Sequence, residues 1–226
     1  MTTPAAVPMT LDRDGAELFA GLARPLLAGL GTLFEHHPPT AAGTRLFNCQ
    51  PLRDLLAHAP IADLATTLLG NCARPVRAIL FNKTLDANWG LGWHQDRVIA
   101  VRRRVDVAGF GAWSVKRGVT HVAPPWPILA ALHTLRIHLD RVDDTNAPLL
   151  VAPGSHRVGI IPESDIDARV DRHGIRACHA AAGDVWAYST PILHASAPSL
   201  GNARRRVLQL DYAANDLPEG LEWYGV

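Results

Sequence analysis

The sequence offers little support for a scaffold held together by disulfides or by thiolate-bound zinc. Its 226 residues include only three cysteines, which are widely spaced and form no C-x-x-C pair. An odd, scattered set of this kind argues against both a disulfide framework and a thiolate zinc site. A chain of this length can instead bury a substantial apolar core.

The sequence also lacks an excess of charge and a long apolar run. Its net charge of +1 provides no electrostatic footprint for nucleic acid or for an acidic membrane surface. The first residues do not form a secretory signal, and the longest apolar stretch, residues 20–34, is interrupted by Arg24 and Pro25. We therefore expect a cytoplasmic protein with a small-molecule partner and neither a nucleic-acid nor a membrane partner, while the oligomeric state stays open.

The pattern of the chain changes about a third of the way along. Helical spacing predicts a helix from Asp14 to about Phe34, capped at Asp14 and Glu17 and kinked or split by Pro25. Two more helices are predicted, at residues 51–58 and 60–69. Strands are then predicted at residues 76–84, 93–101, 134–139, 146–150, 185–189, 193–197 and 205–213.

Helices followed by many short strands predict a mainly β fold, an antiparallel sandwich or barrel with helices packed outside. We expect one domain, residues 1–226, with a helical part at 1–72 and a β core at 73–215. Residues 102–124 are rich in glycine and proline and are predicted to form a long irregular loop, which suggests an active-site lid. The strand at 205–213 alternates polar and apolar residues, as expected if a polar site lies inside and helices cover the outside.

The segment Trp93-His94-Gln95-Asp96 carries the main chemical signal. Alternate residues of a strand point to the same face, so His94 and Asp96 are expected to be neighbours. An imidazole and a carboxylate can supply two ligands of the 2-His-1-carboxylate triad of non-haem iron sites. His194, in a strand about a hundred residues later, is the candidate third ligand.

Several short motifs occur together in a fixed order, and the combination resembles the phytanoyl-CoA dioxygenase family. They are Asn82-Lys83, His94-x-Asp96, Asn146, Pro153-Gly154-Ser155-His156, Gly183-Asp184, His194-x-Ser196 and Arg205-Arg206. The Trp-His-Gln-Asp-Arg motif is similar to that of a bacterial branch of this family. The resemblance implies a double-stranded β-helix, a jelly-roll or cupin-like barrel, with the N-terminal helices covering one sheet.

The resemblance also implies an activity and a set of roles. His94, Asp96 and His194 would bind Fe(II), while Arg205, Ser196 and Lys83 would bind the co-substrate 2-oxoglutarate. The enzyme would use O2 to oxidise an unknown small organic molecule, coupled to decarboxylation of 2-oxoglutarate to succinate and CO2. Related halogenases have a small residue in place of the carboxylate ligand, so Asp96 favours hydroxylation or another oxidation over halogenation.

Other polar residues are candidates for contacts with the substrate or with the primary site residues. They are Thr134 and Arg136 on the inward face of their strand, and Trp113, Lys116 and His121 within residues 102–124. Two alternative functions stay open. One is a cupin-like metal-binding protein, an isomerase or small-molecule binder without 2-oxoglutarate, which would have no need of Arg205. The other is a catalytically silent ligand-binding relative, against which the intact triad argues.

Overall fold

The computed structural model describes residues 7–38, 43–57 and 60–226. Its strands are β1 (Ala16–Phe19), β2 (Thr44–Leu46), β3 (Arg74–Lys83), β4 (Leu91–His94), β5 (Ile99–Val101), β6 (Gly111–Lys116), β7 (Val119–Ala123), β8 (His133–His138), β9 (Leu149–Val151), β10 (Arg176–Cys178), β11 (Val185–Ser189), β12 (His194–Ser196) and β13 (Arg205–Ala213). Its α-helices are α1 (Leu11–Asp14), α2 (Leu27–Glu35), α3 (Gln50–Leu56), α4 (Ile61–Leu69), α5 (Trp126–Ala130) and α6 (Ile166–His173). None of the helices in the described ranges is long and apolar enough to cross a membrane.

The strands form antiparallel sheets, two of which enclose a cavity. The major sheet has the order β1-β11-β8-β13-β3-β2, and the minor sheet has the order β10-β9-β12-β4. Side chains from both sheets line a cavity of about 260 Å³ between them. The two sheets are separate and are not joined into a continuous barrel.

The two faces of the major sheet have opposite polarity, as the alternation of β13 predicts. Leu208 and Leu210 lie on the outer face and are buried against apolar residues of α2, α3 and α4. Arg205 and Gln209 lie on the inner face and line the cavity. Each fully buried leucine contributes roughly 1.5–3 kcal/mol to folding. Packing of the helices against the outer face therefore offsets the cost of burying polar side chains on the inner face.

The predicted helix from Asp14 is wrong over its first part, because the chain forms a strand there. α1 ends at Gly15, whose φ of 78° favours glycine, and β1 then pairs along the edge of the major sheet with β11. The carboxylates of the two predicted capping residues accept hydrogen bonds from backbone N–H groups at the start of α1: Thr10 N donates to Asp14 and Leu11 N donates to Glu17. Pro25 does split the segment, since it lies in a 3-10 turn that leads into α2.

The expected helical part at residues 1–72 also needs correction. Residues 1–72 are not purely helical, because β1 and β2 are strands of the major sheet. α3 ends at Leu56, and the predicted end of that helix at residue 58 lies outside the described residues.

Residues 102–124 are not an irregular loop. They contain a hairpin, β6 and β7, turned by Arg117 and Gly118 at φ 51° and 79°, and β7 also pairs with β5. Glycines and prolines mask the strand pattern in the sequence, yet a turn with two positive φ angles is a normal hairpin connection. The role of this segment as a lid stays a prediction.

Candidate metal centre

Three predicted ligands meet at one end of the cavity. His94 ends β4 and His194 begins β12, and the two residues are paired directly across the minor sheet. Their rings lie 4.2 Å apart between centroids. One potential ligand atom from each of His94, Asp96 and His194 lies within 4.8 Å of the others. A metal ion could therefore contact all three side chains.

The position of Asp96 does not come from strand alternation, contrary to the prediction of a continuous strand at 93–101. The strand ends at His94, and β5 starts only at Ile99. The buried side chain of Gln95 fixes the loop between them: its Nε2 donates to the carbonyls of Gly159 and Pro191 at 3.0 and 2.9 Å. Its Oε1 accepts from the backbone N of Ile161 at 2.9 Å.

Both histidine rings are oriented by hydrogen bonds from Nδ1 to the backbone. His94 Nδ1 lies 2.8 Å from the carbonyl oxygen of Gly92, and His194 Nδ1 lies 2.8 Å from that of Ile192. A carbonyl can only accept a hydrogen bond, so each Nδ1 carries a proton and Nε2 is the ring nitrogen left to bind a metal. Burial, together with the nearby His94, also lowers the pKa of His194 to about 4, so its ring is neutral at neutral pH.

The carboxylate of Asp96 is held by a guanidinium from the opposite sheet. Arg77 on β3 donates from Nη2 to Asp96 at 2.7 Å and from Nε to Asp211 on β13. Asp211 also accepts from Thr134 Oγ1 at 3.0 Å, and Thr134 contacts Thr190. Burial works against ionisation of Asp96, but Arg77 and the two histidines outweigh it and hold its pKa well below the usual range.

The other end of the cavity is a cationic pocket around Arg205. Arg205 is 3% exposed, and its Nη1 donates to the carbonyl of Ala147 and, at 3.3 Å, to Ser196 Oγ. Its Nε is buried and has no hydrogen-bond partner among the described residues. Burial and the nearby Arg136 lower the pKa of Arg205 to about 9, which leaves it charged at neutral pH.

Lys83 lies beside Arg205, as β3 and β13 pair these two residues directly. Its Nζ donates to the carbonyl of Ala197 at 2.7 Å and lies 5.2 Å from the centre of a Trp89 ring. Burial, then Arg205 and Arg136, lowers the pKa of Lys83 to about 7. The pocket thus concentrates positive charge, and the described residues that line it at this end include no carboxylate.

Of the five remaining candidate residues, Arg136 alone is among the described residues that line the cavity. Arg136 lines the cavity and donates to Gln209 at 2.8 Å. Thr134 supports Asp211 from outside the cavity lining. Trp113, Lys116 and His121 are absent from the described cavity lining: the first packs in the core around the hairpin, the second is exposed, and the third is buried.

Sequence reasoning missed two arginines of the cavity. Arg77 has the same strand parity as Lys83, so alternation along 76–84 could have found it. Arg45 also lines the cavity, but it lies on the three-residue strand β2, which has too few residues to show a pattern. Neither residue belongs to a short motif.

The arrangement fits a metal ion together with a small dicarboxylate. Two imidazoles with free Nε2 atoms and an ionised carboxylate form the donor set of a mononuclear iron site. At the far end, the unpartnered Nε of Arg205 offers a hydrogen-bond donor for which a carboxylate oxygen is the natural acceptor.

Comparisons with known proteins agree with this reading of the fold. The sequence model of a family described as phytanoyl-CoA dioxygenase (PhyH) matches residues 30–207. A search of curated proteins finds no match.

Among solved structures, EctD from S. alaskensis with bound Fe is 22% identical with a TM-score of 0.66, covering 100% of this chain and 83% of that one. The non-heme alpha ketoglutarate dependent epimerase SnoN from nogalamycin biosynthesis is 18% identical with a TM-score of 0.62, covering 93% and 87%. HygX from Streptomyces hygroscopicus, with nickel and 2-oxoglutarate bound, is 13% identical with a TM-score of 0.58, covering 90% and 84%. These similarities confirm the predicted fold class.

Proposed function

Because the chain belongs to the phytanoyl-CoA dioxygenase family, we propose that it is an Fe(II)- and 2-oxoglutarate-dependent dioxygenase acting on a small organic molecule. One observation carries the proposal: His94, Asp96 and His194 converge at one end of a cavity whose other end holds the buried Arg205. EctD and HygX, which share the fold, have structures with bound Fe and with 2-oxoglutarate respectively.

In this proposal each side chain of the site has a defined task. His94, Asp96 and His194 hold Fe(II), and Arg77 keeps the Asp96 carboxylate ionised and oriented. Arg205 and Ser196 bind the distal carboxylate of 2-oxoglutarate, with Lys83 adding a third donor beside them. The loaded site supplies an oxidant from O2 as 2-oxoglutarate is decarboxylated to succinate and CO2.

The chain's own residues favour oxidation of a carbon–hydrogen bond, with hydroxylation as the proposed outcome. Asp96 provides a carboxylate at the position where related halogenases have a small residue. The apolar side chains of Ile79, Phe81 and Leu149 line the same cavity and offer an apolar surface to an organic substrate. We also propose that the protein acts in the cytoplasm, without a nucleic-acid or membrane partner.

The proposal is tested by adding Fe(II) and then 2-oxoglutarate to the wild-type protein without oxygen. A chelate of the two in the site gives a visible charge-transfer band, which we expect only when both are present. Succinate in place of 2-oxoglutarate is the control, since it lacks the chelating keto group. Metal binding without the band would instead favour the cupin-like alternative, and no binding of either would favour a catalytically silent relative.

The pKa of Lys83 gives this site an expected pH dependence. A lysine whose pKa is lowered to about 7 loses its proton as the pH rises through 7. Because 2-oxoglutarate is a dianion, its affinity should be highest below pH 7 and fall up to about tenfold per pH unit above it, for one coupled proton. Titrating the chelate band with 2-oxoglutarate from pH 6 to 8.5 measures this slope.

The matched variants are Lys83→Met and Lys116→Met, which change the only two lysines of the chain. Lys83→Met should bind 2-oxoglutarate more weakly at pH 6 and show a flat profile. Lys116→Met, exposed on the hairpin, should keep the wild-type slope. A wild-type slope in Lys83→Met would rule out this role for Lys83.

A further inference from the structure

The cavity carries more positive charge than the proposed chemistry uses. Five cationic side chains line it, and Asp96 is the one carboxylate among its described lining residues. The cationic residues are Arg45, Arg77, Lys83, Arg136 and Arg205. Fe(II) and 2-oxoglutarate carry equal and opposite charges, so loading the site leaves this excess in place. A substrate that binds in the loaded cavity is therefore exposed to a net positive charge.

Three of the five cations already have partners in the proposed function. Arg77 is neutralised by Asp96 and Asp211, and Lys83 and Arg205 are assigned to 2-oxoglutarate. Arg136 donates a hydrogen bond to Gln209 at 2.8 Å and lies 5.4 Å from the centre of the Phe81 ring, so it also has partners within the protein. Arg45 is left.

Arg45 lies at the other end of the cavity, near the triad. It pairs across the major sheet with Ile79, two residues from Arg77, and the charges of Arg77 and Asp96 act on it. Within the described ranges it forms no ion pair, and its buried Nε has no hydrogen-bond partner. Arg45 is half-buried, and leaving its buried Nε without an acceptor is costly unless a ligand supplies one.

Apolar residues lie between the two cationic ends. Alternate residues of β3 face the cavity, so Ile79 and Phe81 separate Arg77 from Lys83 along the strand. Trp89 and Leu91 add further apolar surface to the lining. A ligand that touches both this wall and Arg45 needs an apolar body and one anionic group.

We propose that Arg45 binds an anionic group of the substrate, so that this enzyme acts on small organic acids with an apolar body. The inference rests on the proposed function for the identity of the reaction, but not for the binding of the acid. In chemical terms, the guanidinium of Arg45 would recognise a carboxylate of the substrate beside the metal triad.

The test compares acids with amides of the same carbon skeleton. Hexanoate is paired with hexanamide, and 4-phenylbutyrate with 4-phenylbutyramide, and ligand-observed NMR titration gives each Kd. The protein carries Ni(II) and 2-oxoglutarate, so that no turnover occurs. We expect the wild type to bind each acid about tenfold or more tightly than its amide, as a charged hydrogen bond implies.

Arg45→Gln should remove this preference and bring acid and amide within about twofold of each other. Arg103→Gln is the matched control, because Arg103 is exposed and lies outside the cavity lining. Calorimetric titration with Ni(II) should give the same affinity in wild type and Arg45→Gln, which separates loss of the acid site from loss of the fold or of the metal centre.

Each other result contradicts the proposal. Equal binding of acid and amide to the wild type, a preference that survives in Arg45→Gln, or no binding by either acid would overturn it. Repeating the titrations on the metal-free protein distinguishes the two proposals. If Ni(II) and 2-oxoglutarate fail to bind while the acid preference still depends on Arg45, the proposed function fails and this inference stands.

Discussion

The His194→Ala variant should bind Fe(II) or Ni(II) at least about 100-fold more weakly than the wild type, a loss larger than that of a supporting residue. His194 supplies one of three ligands and is held ready by its hydrogen bond to Ile192. The remaining pair of side chains cannot enclose the ion. Calorimetric titration with Ni(II) measures the loss, and the anaerobic chelate band should disappear with it.

Two further variants separate ligand loss from misfolding. His94→Ala removes a ligand that is only partly buried, so it disturbs packing less than the change at buried His194 and should lose metal equally. His179→Ala removes an exposed histidine paired with Asp144 and should bind metal like the wild type. If both ligand variants keep wild-type metal affinity while remaining folded, the metal site has been misplaced.

The Arg205→Ala variant should lose 2-oxoglutarate affinity while keeping the metal. Truncating one side of a buried charge pair costs about 2–5 kcal/mol, so the Kd for 2-oxoglutarate should rise about 30-fold or more. The physical reason is that Arg205 is buried and faces the cavity with an unpartnered Nε. Titrating 2-oxoglutarate against the chelate band gives the Kd directly.

Arg204→Ala is the matched control for this prediction. Arg204 is the preceding residue, yet it bonds Glu35 and Asn82 instead of the cavity. We expect its 2-oxoglutarate affinity to match the wild type. Equal losses in both variants would mean that general positive charge, and not Arg205, holds the co-substrate.

The predictions from sequence succeeded where a short sequence pattern is enough to determine which way the side chains face. Alternation along β13 placed Leu208 outside and Gln209 inside, because the two faces of a strand have different surroundings. The spacing of His94 and Asp96 correctly suggested that they meet, but for the wrong reason. The loop fixed by Gln95, and not a strand, brings them together.

The failures are places where distant parts of the chain decide the structure. The helical spacing around Leu18 and Leu22 was real, but residues 16–19 pair with β11 along one edge of the major sheet, which no local pattern encodes. Arg45 was missed because its importance comes from what faces it, whereas Arg77 shares a strand face with Lys83 and could have been found by alternation. The hairpin at β6 and β7 was missed because its glycines are typical of loops as well as of hairpins.

The link from Asp96 through Arg77 to Asp211 and Thr134 has an evolutionary consequence. Replacing Arg77 leaves two carboxylates in the interior without their shared partner, and replacing Asp211 removes one of the two carboxylates that Arg77 bridges, so substitutions at these positions are penalised even when the metal ligands are intact. Descendants of this sequence can therefore explore new substrates at Arg45, Trp89 or Leu91 far more freely than at β3 and β13. The residues that support the metal site should therefore change little, while the residues that contact the substrate can change more freely.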